Sequence, residues 1–235
     1  MKRFLTISAS AALAGGVILT ALSGVTAVSA DASQKAPIQT VIEHMRVSIN
    51  GVGAGHSWHS RFYEKARVVL SPQLAVMVIT SSATGATDKP KVAVTHLVIV
   101  NGTSYTKSGD ATQYTEKALT AAALAAAANQ FNPYFIGATF DAISGVKLVG
   151  TRHYQVVAND AKVRAFLDVT FGITGETLTR SAIDAVTIDL WVNTSGQPVK
   201  ITVAGQSPTD PLTAWASFTS YDQPLTIHQP STPNN

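Results

Sequence analysis

Apolar and polar residues alternate in one run after another along the chain. In "TIDLWVNTSGQPVKITVAG", residues 187–205, Ile188, Leu190 and Val192 fall on one face of the first run, and Val199, Ile201 and Val203 on one face of the second. A period of two is the signature of a strand. Thr194-Ser195-Gly196-Gln197 supplies turn residues between the runs, so the stretch predicts a hairpin with six aliphatic side chains on one side. "HSWHSRFYEKARVVL", "LAVMVITSS" and "VAVTHLVIV" are rich in Val, Ile and aromatic residues and predict three more strands. Asn101-Gly102 follows directly, the strongest short hairpin signal.

Other segments carry helical spacing. "APIQTVIEHMRVSIN" places Ile38, Val41, Ile42, Met45 and Ile49 on one helical stripe, with Pro37 suited to a first turn. It predicts a solitary amphipathic helix ended by the glycines of "GVGAG", Gly51 to Gly55. No strand precedes these glycines and no helix follows them, which excludes a phosphate loop. "KALTAAALAAAANQF" predicts a second helix over 118–128, with a face made mostly of methyl groups. "NPYFIGATF" reads as a loop or a short helix, and "VKLVGTRHYQVVA" as another strand. "DAKVRAFLDVTFG" is open: Val163, Ala165, Leu167 and Val169 fit a strand, while Val163, Phe166, Leu167 and Phe171 fit a helix. "AWASFTSYDQPLTIHQP" supplies the last strand or two. No alternation of strands and helices at parallel-sheet spacing occurs. The expected fold is α+β: one curved antiparallel sheet with its helices gathered on one face.

Composition narrows the setting. Residues 1–30 open with "MKR", continue uncharged and largely apolar, and end in "VSA" before Asp31. This predicts a secretory signal peptide cleaved near Ala30, the alternative being an uncleaved anchor. Loss of Lys2 and Arg3 would lower the net charge from +3 to +1, and no Lys/Arg cluster follows, so nucleic acid is not an expected partner. The chain has no cysteine. Disulfides, thiol catalysis, Cys-ligated metals and lipid attachment at a lipobox cysteine are therefore excluded together. Residues 31–230 are long enough for one domain with a sizeable core, and 231–235 are expected to be a disordered tail.

Four stretches resemble a known family. They are "VIVNGTSYTKSGDATQY" with Tyr105, "LVGTRHYQV" with Gly150, Tyr154 and Val156, "LWVNTSGQPVKITV" over Leu190–Val203, and "SFTSYDQPLTIHQP" ending at Pro230. In this order, after the opening helix, they are similar to the mycobacterial lipid-carrying lipoproteins of the LppX/LprAFG type, and more distantly to LolA/LolB-like periplasmic carriers. The resemblance implies a half-barrel: a strongly curved antiparallel sheet with helices on its concave face and an apolar cavity for acyl chains between them. The lipobox cysteine of that family is absent here.

On that resemblance, Leu190, Val192, Val199 and Ile201 of the hairpin, and Leu97 and Ile99 of what reads as an adjacent strand, are candidate lining of a ligand cavity. Phe131, Phe135 and Ile136 are candidates for its lid or mouth. Ordinary core packing is the alternative for the first set, and a packed aromatic cluster the alternative for the second. Trp191 falls on the opposite face from Leu190, with Asp189 and Asn193, and is expected to anchor the convex side. His56 and His59 would lie on opposite faces of a strand, and His96, His153 and His228 stand alone, so no metal site is expected. No Gly-x-Ser-x-Gly elbow occurs, and the carboxylates Asp168, Glu176, Asp184 and Asp189 are scattered. The sequence thus predicts an exported, cofactor-free, non-enzymatic binder or carrier of a hydrophobic ligand, an acyl-chain lipid or glycolipid, in the cell envelope and in possible contact with its membrane. The alternative is an extracytoplasmic interaction or sensor domain on the same scaffold with a filled core.

Overall fold

The computed structural model describes residues 38–53, 56–86, 91–173, 183, 185–207 and 211–231. The signal segment 1–30, Gly55 of the glycine run, Glu176, Asp184 and the tail beyond exposed Ser231 lie outside these residues.

Eleven strands form one antiparallel sheet: β1 (Thr40–Gly53), β2 (His56–Val69), β3 (Ala75–Ala86), β4 (Lys91–Val100), β5 (Thr103–Ser108), β6 (Thr115–Ala118), β7 (Lys147–Gly150), β8 (His153–Ala158), β9 (Ala185–Val192), β10 (Pro198–Gln206) and β11 (Leu212–Thr219). Their order is β6-β5-β4-β3-β2-β1-β11-β10-β9-β8-β7. All neighbours but one are consecutive in the chain. The exception, β1 against β11, joins the two halves. The four-residue strands β6 and β7 form the edges and are exposed throughout. Short edges limit unwanted pairing with other chains.

Three helices are seen among the described residues: α1 (Ala121–Gln130), α2 (Pro133–Asp141) and α3 (Ala161–Phe171). α1 and α2 follow β6 at one edge and lead to β7 at the other. The chain must therefore cross the sheet between them, and the core gathers Ala127, Phe131, Ile136 and Phe140 of this crossing with inward residues of strands from both halves. The result is the curved antiparallel half-barrel with helices on its concave face.

Caps fix the helix ends. Thr120 accepts from the Ala123 amide, and Asn132 accepts from the Tyr134 amide with Pro133 in the first turn. The open segment 160–172 is a helix. Asp160 accepts from the amides of Lys162 and Val163, at 2.8 and 2.9 Å. Gly172 ends it in the left-handed region at φ 64°. Val163, Phe166, Leu167 and Phe171 are its buried stripe.

The opening segment corrects the sequence reading. It is strand β1, not a helix, paired on both sides with β2 and β11. Its buried side chains alternate as Val41, Glu43, Met45, Val47 and Ile49. Glu43 interrupts the apolar register, and half-buried Ile42 on the other face completes a spurious helical stripe. Two smaller differences follow. "VKLVGTRHYQVVA" is a hairpin, β7 and β8, turning at Arg152 with φ 58°. After β11 there is no further strand among the described residues.

Both predicted turns are present. Asn101 and Gly102 have φ of 53° and 74°, the paired positive values of a type I′ turn. At 193–197, Asn193 Oδ1 accepts from the amides of Ser195 and Gln197, at 2.9 and 3.0 Å. Beyond β11 the chain returns over the start of β1. The Gln39 amide donates to Asp222 Oδ1 and the Thr40 hydroxyl donates to the Gln223 carbonyl, both at 2.7 Å.

Candidate functional site

Register aligns the inward residues of neighbouring strands into rows across the concave face. One row runs Phe218, Glu43, Ala66, Val78, Leu97 from β11 to β4. The next runs Ala216, Met45, Glu64, Thr80, Thr95, and reaches Ser108 on β5. Beyond it lie Ala214, Val47, Phe62, Ser82, Ala93, and then Leu212, Ile49, Ser60, Thr84.

Burial changes along β2, β3 and β4 at matched positions. Val68, Ala66 and Glu64 are buried while Phe62 and Ser60 are half-buried; Val76 and Val78 are buried while Thr80, Ser82 and Thr84 are half-buried; Ile99, Leu97 and Thr95 are buried while Ala93 is half-buried. On β1 and β11 the same far rows stay buried, at Val47, Ile49, Leu212 and Ala214. The concave face is thus filled over most of its area and open to solvent over one quadrant, the far end of β2–β4. The floor of that quadrant is an aromatic ring, two serines, an alanine and a threonine. Its inner wall is Glu64, Thr80 and Thr95. The hydroxyls there link weakly: Ser60 Oγ and Thr84 Oγ1 are 3.4 Å apart, Thr95 Oγ1 and Ser108 Oγ 3.4 Å, and the Thr80 hydroxyl donates to the Thr95 carbonyl at 3.4 Å.

Two carboxyls mark the boundary. Glu43 and Glu64 are each 3% exposed. They stand diagonally across β1 and β2, since Glu43 pairs with Ala66 and Met45 with Glu64. Burial, and then Glu64 beside it, hold Glu43 well above the usual carboxylate range, and burial pushes Glu64 up to about 7. Tyr221, from the segment after β11, lies close enough to feel Glu43 and Tyr134; its hydroxyl donates to the Pro198 carbonyl, and burial raises its pKa above the usual phenol value.

The residues named from the sequence are distributed as follows. Leu190 and Ile201 are direct cross-strand partners on β9 and β10, and both are buried. Leu97 and Ile99 are buried on β4, which is not adjacent to this hairpin: β3, β2, β1 and β11 intervene. Phe131 and Ile136 are buried, and one core cluster brings these six residues together, with half-buried Val192 packed against it. Phe135 and Val199 are half-buried and stand outside that cluster. Val199 is the extra residue of a bulge that places Pro198 opposite Val192. Among the described residues, no group of three or more His, Asp and Glu side chains is placed to hold a metal ion. Sequence reasoning missed Glu43 and Glu64. The signal was there once β1 and β2 are aligned: both carboxylates occupy inward positions of apolar alternations.

On the convex face, Trp191 stacks on His153 with ring centroids 4.3 Å apart, and Lys200 Nζ lies 4.9 Å from its ring centre. Asp189 Oδ1 is 2.7 Å from His153 Nε2 and accepts from Gln155 Nε2 at 2.9 Å. These contacts tie β8, β9 and β10 together from outside.

No family model matches the sequence, and no curated protein matches it. Among solved structures, the crystal structure of LprF from Mycobacterium bovis is similar to it, with a TM-score of 0.41 and 16% identity over 83% of this chain and 90% of that chain. This is a likeness in the course of the chain and says nothing of ligand or role.

Proposed function

We propose that the protein is an exported carrier of a hydrophobic ligand, an acyl-chain lipid or glycolipid, acting by burial and release and not as an enzyme. The observation that supports this most is the unequal filling of the concave face: an apolar interior continues into a solvent-reached quadrant with no strand or helix over it among the described residues. Helix α1 starts at the opposite end of the sheet, where the Leu119 amide donates to the Gly102 carbonyl, and its buried contribution is Ala127 alone. A helix of methyl groups buries little area per residue and shifts at low cost. An acyl chain entering from the quadrant would lie against Leu97 and Ile99 and reach inward toward Phe131 and Ile136, with α1 shifting to make room. Each buried methylene contributes roughly 0.8 kcal/mol, so ten would give about 8 kcal/mol gross before ordering costs, which is the micromolar range. Export rests on the character of residues 1–30.

The second reading, an interaction or sensor domain, draws on the close burial of Leu97, Ile99, Leu190 and Ile201 in one cluster. Titration with the neutral fluorophore N-phenyl-1-naphthylamine separates the two. The carrier reading expects saturable blue-shifted fluorescence, and a flat titration removes it.

A further inference from the structure

We infer that the open quadrant is a head-group site for a cationic, amine-bearing amphiphile, held by Glu64 and Glu43 with the hydroxyls of Thr80, Thr95 and Ser82 around it. The inference rests on the carrier reading and names the ligand class that this site would select.

Two independent observations meet here. The first is the quadrant itself, whose half-buried floor of Ser60, Phe62, Ser82 and Thr84 offers an aromatic face and hydroxyls in place of the aliphatic residues of the rows behind it. The second is the pair of carboxyls. Both are 3% exposed, their recorded neighbours are each other and Tyr221, and no basic side chain is seen paired with either among the described residues. Ionising a buried carboxyl is costly, and ionising two side by side more so. Buried carboxyls raised in this way cluster at functional sites.

Charge selects the partner. The inward positions of β1 and β2 around the pair are Val41, Met45, Val47, Phe62, Ala66 and Val68. Neighbouring β3 contributes Val78 and Thr80, and β11 contributes Ala216 and Phe218. None is basic. From the segment after β11 comes Tyr221, close enough to feel Glu43, and Tyr134 of α2 and Asp222 act on Tyr221 in turn. His44, Arg46, Lys65 and Arg67 lie on the opposite face of β1 and β2, by alternation. An anionic head would meet like charge. A neutral alcohol brings no charge and leaves the pair its protons. A primary ammonium offers three donors and one positive charge, and lets both carboxyls ionise with two of those donors accepted by them. The ammonium therefore displaces protons held by the pair, and its binding strengthens as pH rises.

The test is competition against bound N-phenyl-1-naphthylamine by dodecylamine, dodecanol and dodecanoate, which share a chain and differ in the head. For wild type at pH 8 the expected order is dodecylamine at least tenfold stronger than dodecanol, and dodecanoate weakest. The amine-to-alcohol ratio should shrink as pH is lowered from 8 to 5. In Glu43→Gln/Glu64→Gln the ratio should collapse to about one. If that variant does not fold, Glu64→Gln alone and the wild-type pH series give the same reading. Equal displacement by the three heads, or a ratio that survives in the Gln variants, overturns the head-group site while leaving the carrier reading intact. If wild type binds neither the fluorophore nor dodecylamine by calorimetry, both are overturned together.

Discussion

Glu43 and Glu64 face the same interior from neighbouring strands, one row apart, with Ala66 and Met45 as their cross-strand partners. Small Ala66 leaves room on one side of this diagonal and flexible Met45 on the other. Among the described side chains, the pair is the strongly polar interruption in the inward rows of β1 and β2, and it lies where the filled interior meets the open quadrant. Its titration is open to measurement without knowledge of the ligand.

Stability should fall as pH rises. The folded state holds protons on the pair at a pH where the unfolded chain, with glutamates near ~4.3, has released them. The unfolded state then binds fewer protons, and the unfolding free energy declines with pH between the two values. For Glu64, raised to about 7, the window runs from about pH 4.3 to 7, and the accumulated loss is on the order of 3 kcal/mol. Melting by circular dichroism from pH 5 to pH 8 should show a falling Tm. Glu64→Gln should flatten the slope and raise Tm at pH 8. An unchanged slope in that variant contradicts the assignment.

Gly205 is a packing constraint. It pairs with Leu212 and Val186, and a Cβ added there would sit 3.0 Å from Leu212 Cβ and 3.1 Å from Ile183 Cγ2. Neither neighbour has a flexible end to move aside. Gly205→Ala should cost about 1–3 kcal/mol, read as a Tm lower by roughly 2–4 °C per kcal/mol. An unaltered Tm would mean that β10 and β11 are spaced more widely.

The convex cluster should be separable from ligand binding. Asp189→Ala leaves His153 Nε2 and Gln155 Nε2 without their shared acceptor, which should cost on the order of 1 kcal/mol. Fluorophore affinity should not move, because Asp189 and its partners lie on the outer face of β8 and β9. Loss of fluorophore binding in this variant would put the ligand on the convex face.

Much of the sheet was legible because its turns carry their own chemistry. Asn101-Gly102 meets the positive φ demanded of a type I′ turn, and Asn193 with Gly196 closes the other hairpin. Segment 160–172 was open by periodicity but decidable by its ends, since Asp160 and Gly172 are a matched cap pair. β1 was not legible. A carboxylate in an inward register breaks the period-two signal, and a single sequence does not say whether the break marks a solvent face or a buried carboxyl. The hairpin aliphatics were legible as inward-facing, yet the same alternation describes a filled core and a ligand surface. That ambiguity is physical: both bury methyl groups against one face.

Substituting along β9 and β10 addresses that ambiguity. Val192 is half-buried at the end of β9, whereas Ile201 is fully enclosed. Ile201→Trp should cost 1–3 kcal/mol or about that, as overpacking does. On the carrier reading Val192→Trp should be tolerated with clearly less loss and should weaken the fluorophore, because indole and ligand compete for one volume. Equal destabilisation by both, with the fluorophore unaffected, would place Val192 in a closed core.

The most direct measurement is mass spectrometry of organic extracts from the protein purified from its native source, set beside an extract of an unrelated exported protein purified in parallel. The account predicts a co-purifying acyl-chain amphiphile enriched with this protein, approaching one per chain. An extract indistinguishable from the control, together with a flat N-phenyl-1-naphthylamine titration of the same preparation, would contradict it.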